Sequence, residues 1–189
     1  MIYEDSLWAE KIWYQDLQIP LEEIKAECLK VKEEDQQGVQ KSNQGGWHSQ
    51  EEKFSFLEPL FEASKDLVHY AIVEMGLKSE LYVEPVKSWI NINDTKDFNM
   101  PHAHPGSLLS SVFYVESTDM DATLNFIMPH EEVKSLYFSN YLVPNNYSSF
   151  SAKYAPIQGR MIIFPAYLQH WVSPSSTKRI SIATNYKVV

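Results

Sequence analysis

The chain has 189 residues and a mass of 21.9 kDa, with 13% aromatic residues and a formal net charge of −9. That length can build a hydrophobic core without staples, and six glycines against ten prolines at this aromatic content argue against disorder. An acidic chain without a basic stripe does not suit a phosphate backbone, so general nucleic-acid binding is excluded.

One cysteine, Cys28, excludes an intramolecular disulfide and fits a reducing compartment. No 18-residue apolar run is present, and the start MIYEDSLWAEK lacks a basic n-region and an apolar h-region. The expectation is a single soluble, cytoplasmic domain over 1–189, with no membrane partner.

In chain order, residues 1–19 alternate loosely (Ile2, Leu7, Trp8, Ile12, Trp13, Leu17, Ile19) and predict a short strand. From Pro20 the period becomes helical: Leu21, Ile24, Cys28 and Val31 share a face, Glu22 and Glu23 suit the N-terminal dipole, and the pattern fades near Gly38. Cys28 on that face reads as core packing. Residues 41–50 (KSNQGGWHSQ) read as loop, which makes His48 a loop histidine. A second helix carries Leu57, Leu60, Phe61, Ser64, Leu67, Val68, Ala71, Ile72 and Met75 on one stripe, stops at Gly76, and leaves His69 outside it.

The period then switches to two. Tyr82 to Asn93 reads as a strand with Val83, Trp89 and Asn91 inward, and Pro85 makes its first half an edge or an irregularity. Short strands follow around His102 and over 108–115, 123–128, 161–164 and 179–186. Helices over about 20–76 and strands over about 82–189 predict an α+β, mainly β, chain: a sandwich or jelly roll backed by two helices. Residues 129–156 are too long for a simple connection and carry Tyr137, Phe138, Tyr141, Tyr147, Phe150 and Tyr154, so they are read as a substrate-covering lid.

Two stretches carry chemistry. In Met100 to Ser107 (MPHAHPGS), an extended His102 and His104 point the same way, about 6–7 Å apart, as one shared metal requires. The stretch from Gly159 to Tyr186 holds a buried strand, then His170, then a strand with Arg179, Ser181, Ala183 and Asn185 on one face and Ile180, Ile182 and Thr184 on the other. A third histidine beside an Arg-x-Ser face strengthens the metal reading. Neutral imidazole suits Fe, Zn, Cu and Ni, so ligand type alone does not name the ion.

The blocks HAHPGS, LLSSVFYVES, GRMIIFPAYLQHWV and RISIATNY, in that order over about 89–186, resemble the 2-oxoglutarate/Fe(II)-dependent oxygenase superfamily. The resemblance implies a double-stranded β-helix (jelly roll) with the N-terminal helices packed on one sheet. It implies Fe(II) and 2-oxoglutarate as cofactors. It also implies a dioxygenase that consumes O2, releases succinate and CO2, and hydroxylates a protein side chain or small molecule. On this resemblance His102 is the first iron-binding histidine and His170 the distal one. Arg179 resembles the basic residue that pairs with the far carboxylate of 2-oxoglutarate and Ser181 its hydroxyl helper, while Asn185 and Asn91, on inward strand faces, are further cofactor-binding candidates.

One departure matters. The superfamily's commonest first motif is His-x-Asp or His-x-Glu, and here His104 stands in the carboxylate's place. His104 is read as the third ligand; alternatively it points away, and water, Asp94, Asp97 or Glu116 completes the sphere. Two other functions are weighed: a three-histidine cupin-like dioxygenase that does not use 2-oxoglutarate, and a non-catalytic jelly-roll binding module.

Overall fold

The structure, a computed structural model, describes residues 10–129, 143 and 149–189. Strand β1 (Trp13–Asp16) precedes helix α1 (Leu21–Glu34). Short strands β2 (Asn43–Gln44) and β3 (Trp47–His48) lead to helix α2 (Glu58–Glu74). Then follow β4 (Val83–Asn93), β5 (Phe98–His102), β6 (Leu109–Glu116), β7 (Leu124–Ile127), β8 (Ser151–Tyr154), β9 (Arg160–Pro165), β10 (His170–Val172) and β11 (Arg179–Val188). The described residues therefore form a mainly β chain with two helices, in two antiparallel sheets. One has six strands in the order β1-β9-β6-β11-β4-β3, the other five in the order β2-β5-β10-β7-β8.

Both helices pack on the six-stranded sheet. Leu60, Leu67, Ala71 and Ile72 of α2 and Ile24 and Cys28 of α1 meet Ile90, Ile92, Phe113, Val115, Ile180 and Ile182 in the larger core. The other face of that sheet turns toward the five-stranded sheet, where Tyr114, Ile162 and Phe164 join Leu124, Phe126 and Leu168 in a smaller core. Strand alternation thus divides β11 as expected, with isoleucines toward the helices and the polar face between the sheets. Helix α2 ends as predicted, with the Gly76 and Leu77 amides donating to the carbonyls of Val73 (2.9 Å) and Ile72 (3.2 Å).

Three expectations are corrected. Residues 41–50 are not simply loop: β2 pairs with β5 and β3 with β4, and the Gly45-Gly46 turn carries the chain from one sheet to the other. Both glycines lie at positive φ (70° and 65°), and a Cβ on Gly45 would sit 2.0 Å from the Asp97 carboxylate, so the turn needs residues without one.

Val83 does not share the inward face of Trp89 and Asn91. In the β4–β11 register Asn185 faces Lys87 but Tyr186 faces Pro85, so Val86 is an extra residue. That bulge reverses the alternation and sends Val83 to the helix-side core. Pro85 lies there, where a missing N–H is tolerated.

Residues 151–154 form an edge strand on β7 where only loop was expected. The rest of the predicted lid over 129–156 falls mainly on residues 130–142 and 144–148, outside the described residues.

Candidate metal and carboxylate site

Strands β5 and β10 are neighbours, and their register makes His102 and His170 direct cross-strand partners, with ring centroids 4.3 Å apart. His104 lies just past β5, where its amide donates to the Ala166 carbonyl at 2.9 Å. That tie turns its ring back toward the pair. The ligand atoms of the three histidines lie within 4.8 Å of one another, and the Nε2 atoms of His104 and His170 are 3.3 Å apart. Two nitrogens bound to one ion at about 2.1 Å would be separated by roughly 3.0–3.4 Å, so the spacing suits a shared cation.

Two of the rings are held in one orientation. His102 Nδ1 faces the Met100 carbonyl at 2.7 Å, and His170 Nδ1 faces the Leu168 carbonyl at 2.9 Å. A carbonyl can only accept, so each Nδ1 carries the proton and each Nε2 presents its lone pair to the centre. Burial, reinforced by the neighbouring histidines, holds the imidazole of His170 at about 3 and that of His104 at about 4; burial also lowers His102. All three are neutral near pH 7, the protonation state a ligand needs.

Arg179 starts β11 on the same cavity of about 320 Å³ and is only 2% exposed. Its Nη1 donates to the Ala122 carbonyl (3.1 Å) and its Nη2 to the Asn93 side-chain oxygen (3.0 Å). Its Nε is buried without a partner, and no described carboxylate pairs with it. Burial pushes the guanidinium below its ordinary range, a sign that the charge is held at a cost. A buried guanidinium bordering a cavity, with no carboxylate partner among the described residues, is a candidate to take an anion.

Ser181 and Asn91 face each other across β11 and β4 and both line the cavity. Asn185 does not: it continues the same strand face beyond the cavity, and its side-chain oxygen accepts from Ser110 Oγ at 2.7 Å. None of the suggested substitute ligands, Asp94, Asp97 and Glu116, lines the cavity. Asp97 accepts from the Asp94 amide (2.7 Å), and Glu116 pairs with Lys25 (2.6 Å).

Sequence reasoning missed three contributors. Asn93, which orients Arg179, was readable from the two-residue period that selected Asn91. Tyr114 is the register partner of Ser181 and also lines the cavity, but an isolated tyrosine on an apolar strand gave no signal. His48 is buried on the cavity wall, and only the pairing of β3 with β4 reveals it.

A family described as "Putative 2OG-Fe(II) oxygenase" matches residues 87–185. No curated protein matches the chain in sequence. Among solved structures, a Pseudomonas putida prolyl-4-hydroxylase is 16% identical with a TM-score of 0.65, covering 95% of this chain and 94% of that one. A viral collagen prolyl hydroxylase from Paramecium Bursaria Chlorella virus-1 is 12% identical with a TM-score of 0.59, covering 94% and 96%. HygX from Streptomyces hygroscopicus, solved with nickel and 2-oxoglutarate bound, is 9% identical with a TM-score of 0.59, covering 96% and 84%. At these identities the likeness is one of fold.

Proposed function

The chain belongs to the 2OG-Fe(II) oxygenase family and is an Fe(II)- and 2-oxoglutarate-dependent dioxygenase, and from that premise we propose that His102, His104 and His170 hold the iron while Arg179, helped by Ser181 and Asn91, takes the far carboxylate of 2-oxoglutarate. Family membership sets aside the cupin-like enzyme working without 2-oxoglutarate and the non-catalytic module. In this reading the two sheets are the halves of a double-stranded β-helix within one domain over 1–189, and the hydroxylated substrate is a protein side chain or a small molecule.

The observation that carries the assignment is the buried guanidinium of Arg179, without a carboxylate partner among the described residues, on the same cavity as three convergent neutral imidazoles. Iron and 2-oxoglutarate, when bound, supply the oxidative chemistry, with decarboxylation of 2-oxoglutarate to succinate and CO2 coupled to oxidation of the substrate by O2. Everything else falls to the chain. The carbonyls of Met100 and Leu168 keep Nε2 of His102 and His170 unprotonated and aimed inward. The guanidinium of Arg179, steadied by the Ala122 carbonyl and Asn93, would supply the N–H donors that a carboxylate accepts in two parallel bonds. Phe164, 4.7 Å from the His170 ring, and Leu124 line the cavity and keep water from that side of the imidazole.

Among the described residues no carboxylate joins the three histidines, so in this reading the centre carries one more positive unit than a two-histidine, one-carboxylate site. That extra charge favours a dianionic co-substrate over a neutral one. Titrating the metal-free protein with Co(II) or Mn(II) by calorimetry tests the ligand set. Alanine at His102, His104 or His170 should each weaken metal binding at least about tenfold. A variant that binds as tightly as the parent removes that histidine from the set.

A further inference from the structure

We propose that Trp89 and His48 are positioning residues for His104, a stacked pair of rings packed against it that does for this ligand what a backbone carbonyl does for the other two. The inference rests on the reading of His104 as a metal ligand. His102 and His170 are each fixed by a hydrogen bond from Nδ1 to the carbonyl two residues before it. Among the described residues Nδ1 of His104 has no such partner; the ring's one hydrogen-bonding contact is Nε2 with His170, on the metal side. Something else must set its plane.

The Trp89 indole does so, with its centroid 5.3 Å from the His104 ring at 49°. Trp89 is 7% exposed, and the His48 ring lies nearly parallel to it at 5.9 Å and 9°. His48 is itself immobilised, because its Nδ1 donates to the Ser49 carbonyl at 2.6 Å. Ser49 is in turn clamped to β4, its amide donating to the Ile90 carbonyl (3.0 Å) and its hydroxyl accepting from the Ile90 amide (2.9 Å). Alternation along β4 puts Trp89 and Asn91 on the cavity side, and pairing with Asn91 puts His48 beside them. The order of support runs from strand β3 through two rings to a metal ligand, and His48 lies outside the residues matched by the family.

The test compares Co(II) affinity and the ligand-field spectrum of Co(II) across a small set of folded variants. Removing an outer partner of a ligand lowers metal affinity by about 10- to 100-fold. Trp89→Leu should do this and alter the spectrum, whereas Trp89→Phe, which keeps a ring, should recover most of the loss. His48→Ala should weaken binding by roughly threefold to tenfold, the smaller effect of an indirect contact, and His48→Phe should restore it. In a His104→Ala background, Trp89→Leu should have no further effect, because residues acting through one ligand are not additive.

A role confined to packing would lower the melting temperature of the metal-free protein and leave Co(II) affinity unchanged; that result overturns the proposal. So does a Trp89→Leu loss that persists undiminished with His104 removed. If Trp89→Leu does not fold, His48→Ala decides by the same two readouts, with parent-like affinity and spectrum overturning the proposal. His104→Ala with parent-like Co(II) affinity and spectrum would instead refute the triad itself, a separate failure.

Discussion

Arg179→Ala is the most direct perturbation of the co-substrate site. Of the five guanidinium N–H donors, one goes to the Ala122 carbonyl and one to Asn93, the Nε–H is buried without a partner, and no described carboxylate offsets the charge. A two-bond, charge-assisted pair in so buried a place is worth about 2–4 kcal/mol, which corresponds to a roughly 30- to 1,000-fold change in affinity. Binding of 2-oxoglutarate to the Mn(II)-loaded protein, measured anaerobically by calorimetry, should weaken by that factor. Mn(II) binding without 2-oxoglutarate should stay within about threefold, because the guanidinium is paired to Asn93 and Ala122 rather than to a histidine. Arg179→Lys should fall between, keeping the charge but losing the fork. If 2-oxoglutarate affinity drops less than about fivefold, or metal affinity falls in parallel, Arg179 is not the anchor.

His104→Asp, which restores a carboxylate at the third ligand position, should hold Co(II) more tightly than His104→Ala, by at least about tenfold in a calorimetric titration. Gly38→Ala should cost about 2–4 kcal/mol in urea unfolding: the residue has φ +57°, and a Cβ there would lie 2.5 Å from the His48 carbonyl oxygen and 2.7 Å from Trp47 Nε1. The metal-free protein should lose stability as pH falls from about 6.5 toward 3, because the unfolded chain takes up protons that His104 and His170, held at about 4 and 3, still refuse; a urea midpoint flat over that range would contradict it. Cys28, buried with its thiol pushed up to about 12, should resist alkylation until the protein is unfolded in urea.

Where much of the candidate site lies is legible in the sequence because its residues obey short-range rules. Arg179 and Ser181 share a face by a period of two, and two flanking isoleucines fix which face is core. His102 was legible for the same reason. Asn185 obeys that parity yet lies beyond the cavity lining, because alternation selects a face but not how far along the strand the cavity reaches. Val83 failed because one extra residue at Val86 shifts the phase, and nothing in YVEPVKSWININ counts a bulge except the proline beside it. His48 was invisible for a different reason. Its strand is two residues long, below any periodic signal, and exists only because β4, some forty residues later, offers an edge. Contacts between segments far apart in sequence set its burial, and burial turned a loop histidine into part of a cavity wall.

The division of labour between the sheets explains why the cavity lies where it does. The five-stranded sheet supplies His102 and His170 from neighbouring strands, while the six-stranded sheet supplies Arg179, Ser181 and Asn91 from another adjacent pair. In the proposed assignment the metal and carboxylate subsites therefore stand on separate sheets and meet across the gap. Three neutral imidazoles leave a divalent ion's charge uncompensated, and Arg179 adds a second unpaired cation. Glu51, the one carboxylate among the described residues lining the cavity, is already engaged by Lys87 at 3.0 Å and Lys41 at 4.0 Å. A dianion spanning the gap answers both needs at once, one end on the metal and the other on the guanidinium. Each ligand then lowers the electrostatic cost of the other, and by linkage the metal must strengthen 2-oxoglutarate binding by the factor with which 2-oxoglutarate retains the metal. A three-imidazole site, with no carboxylate joining it among the described residues, would thus make metal retention depend on the co-substrate.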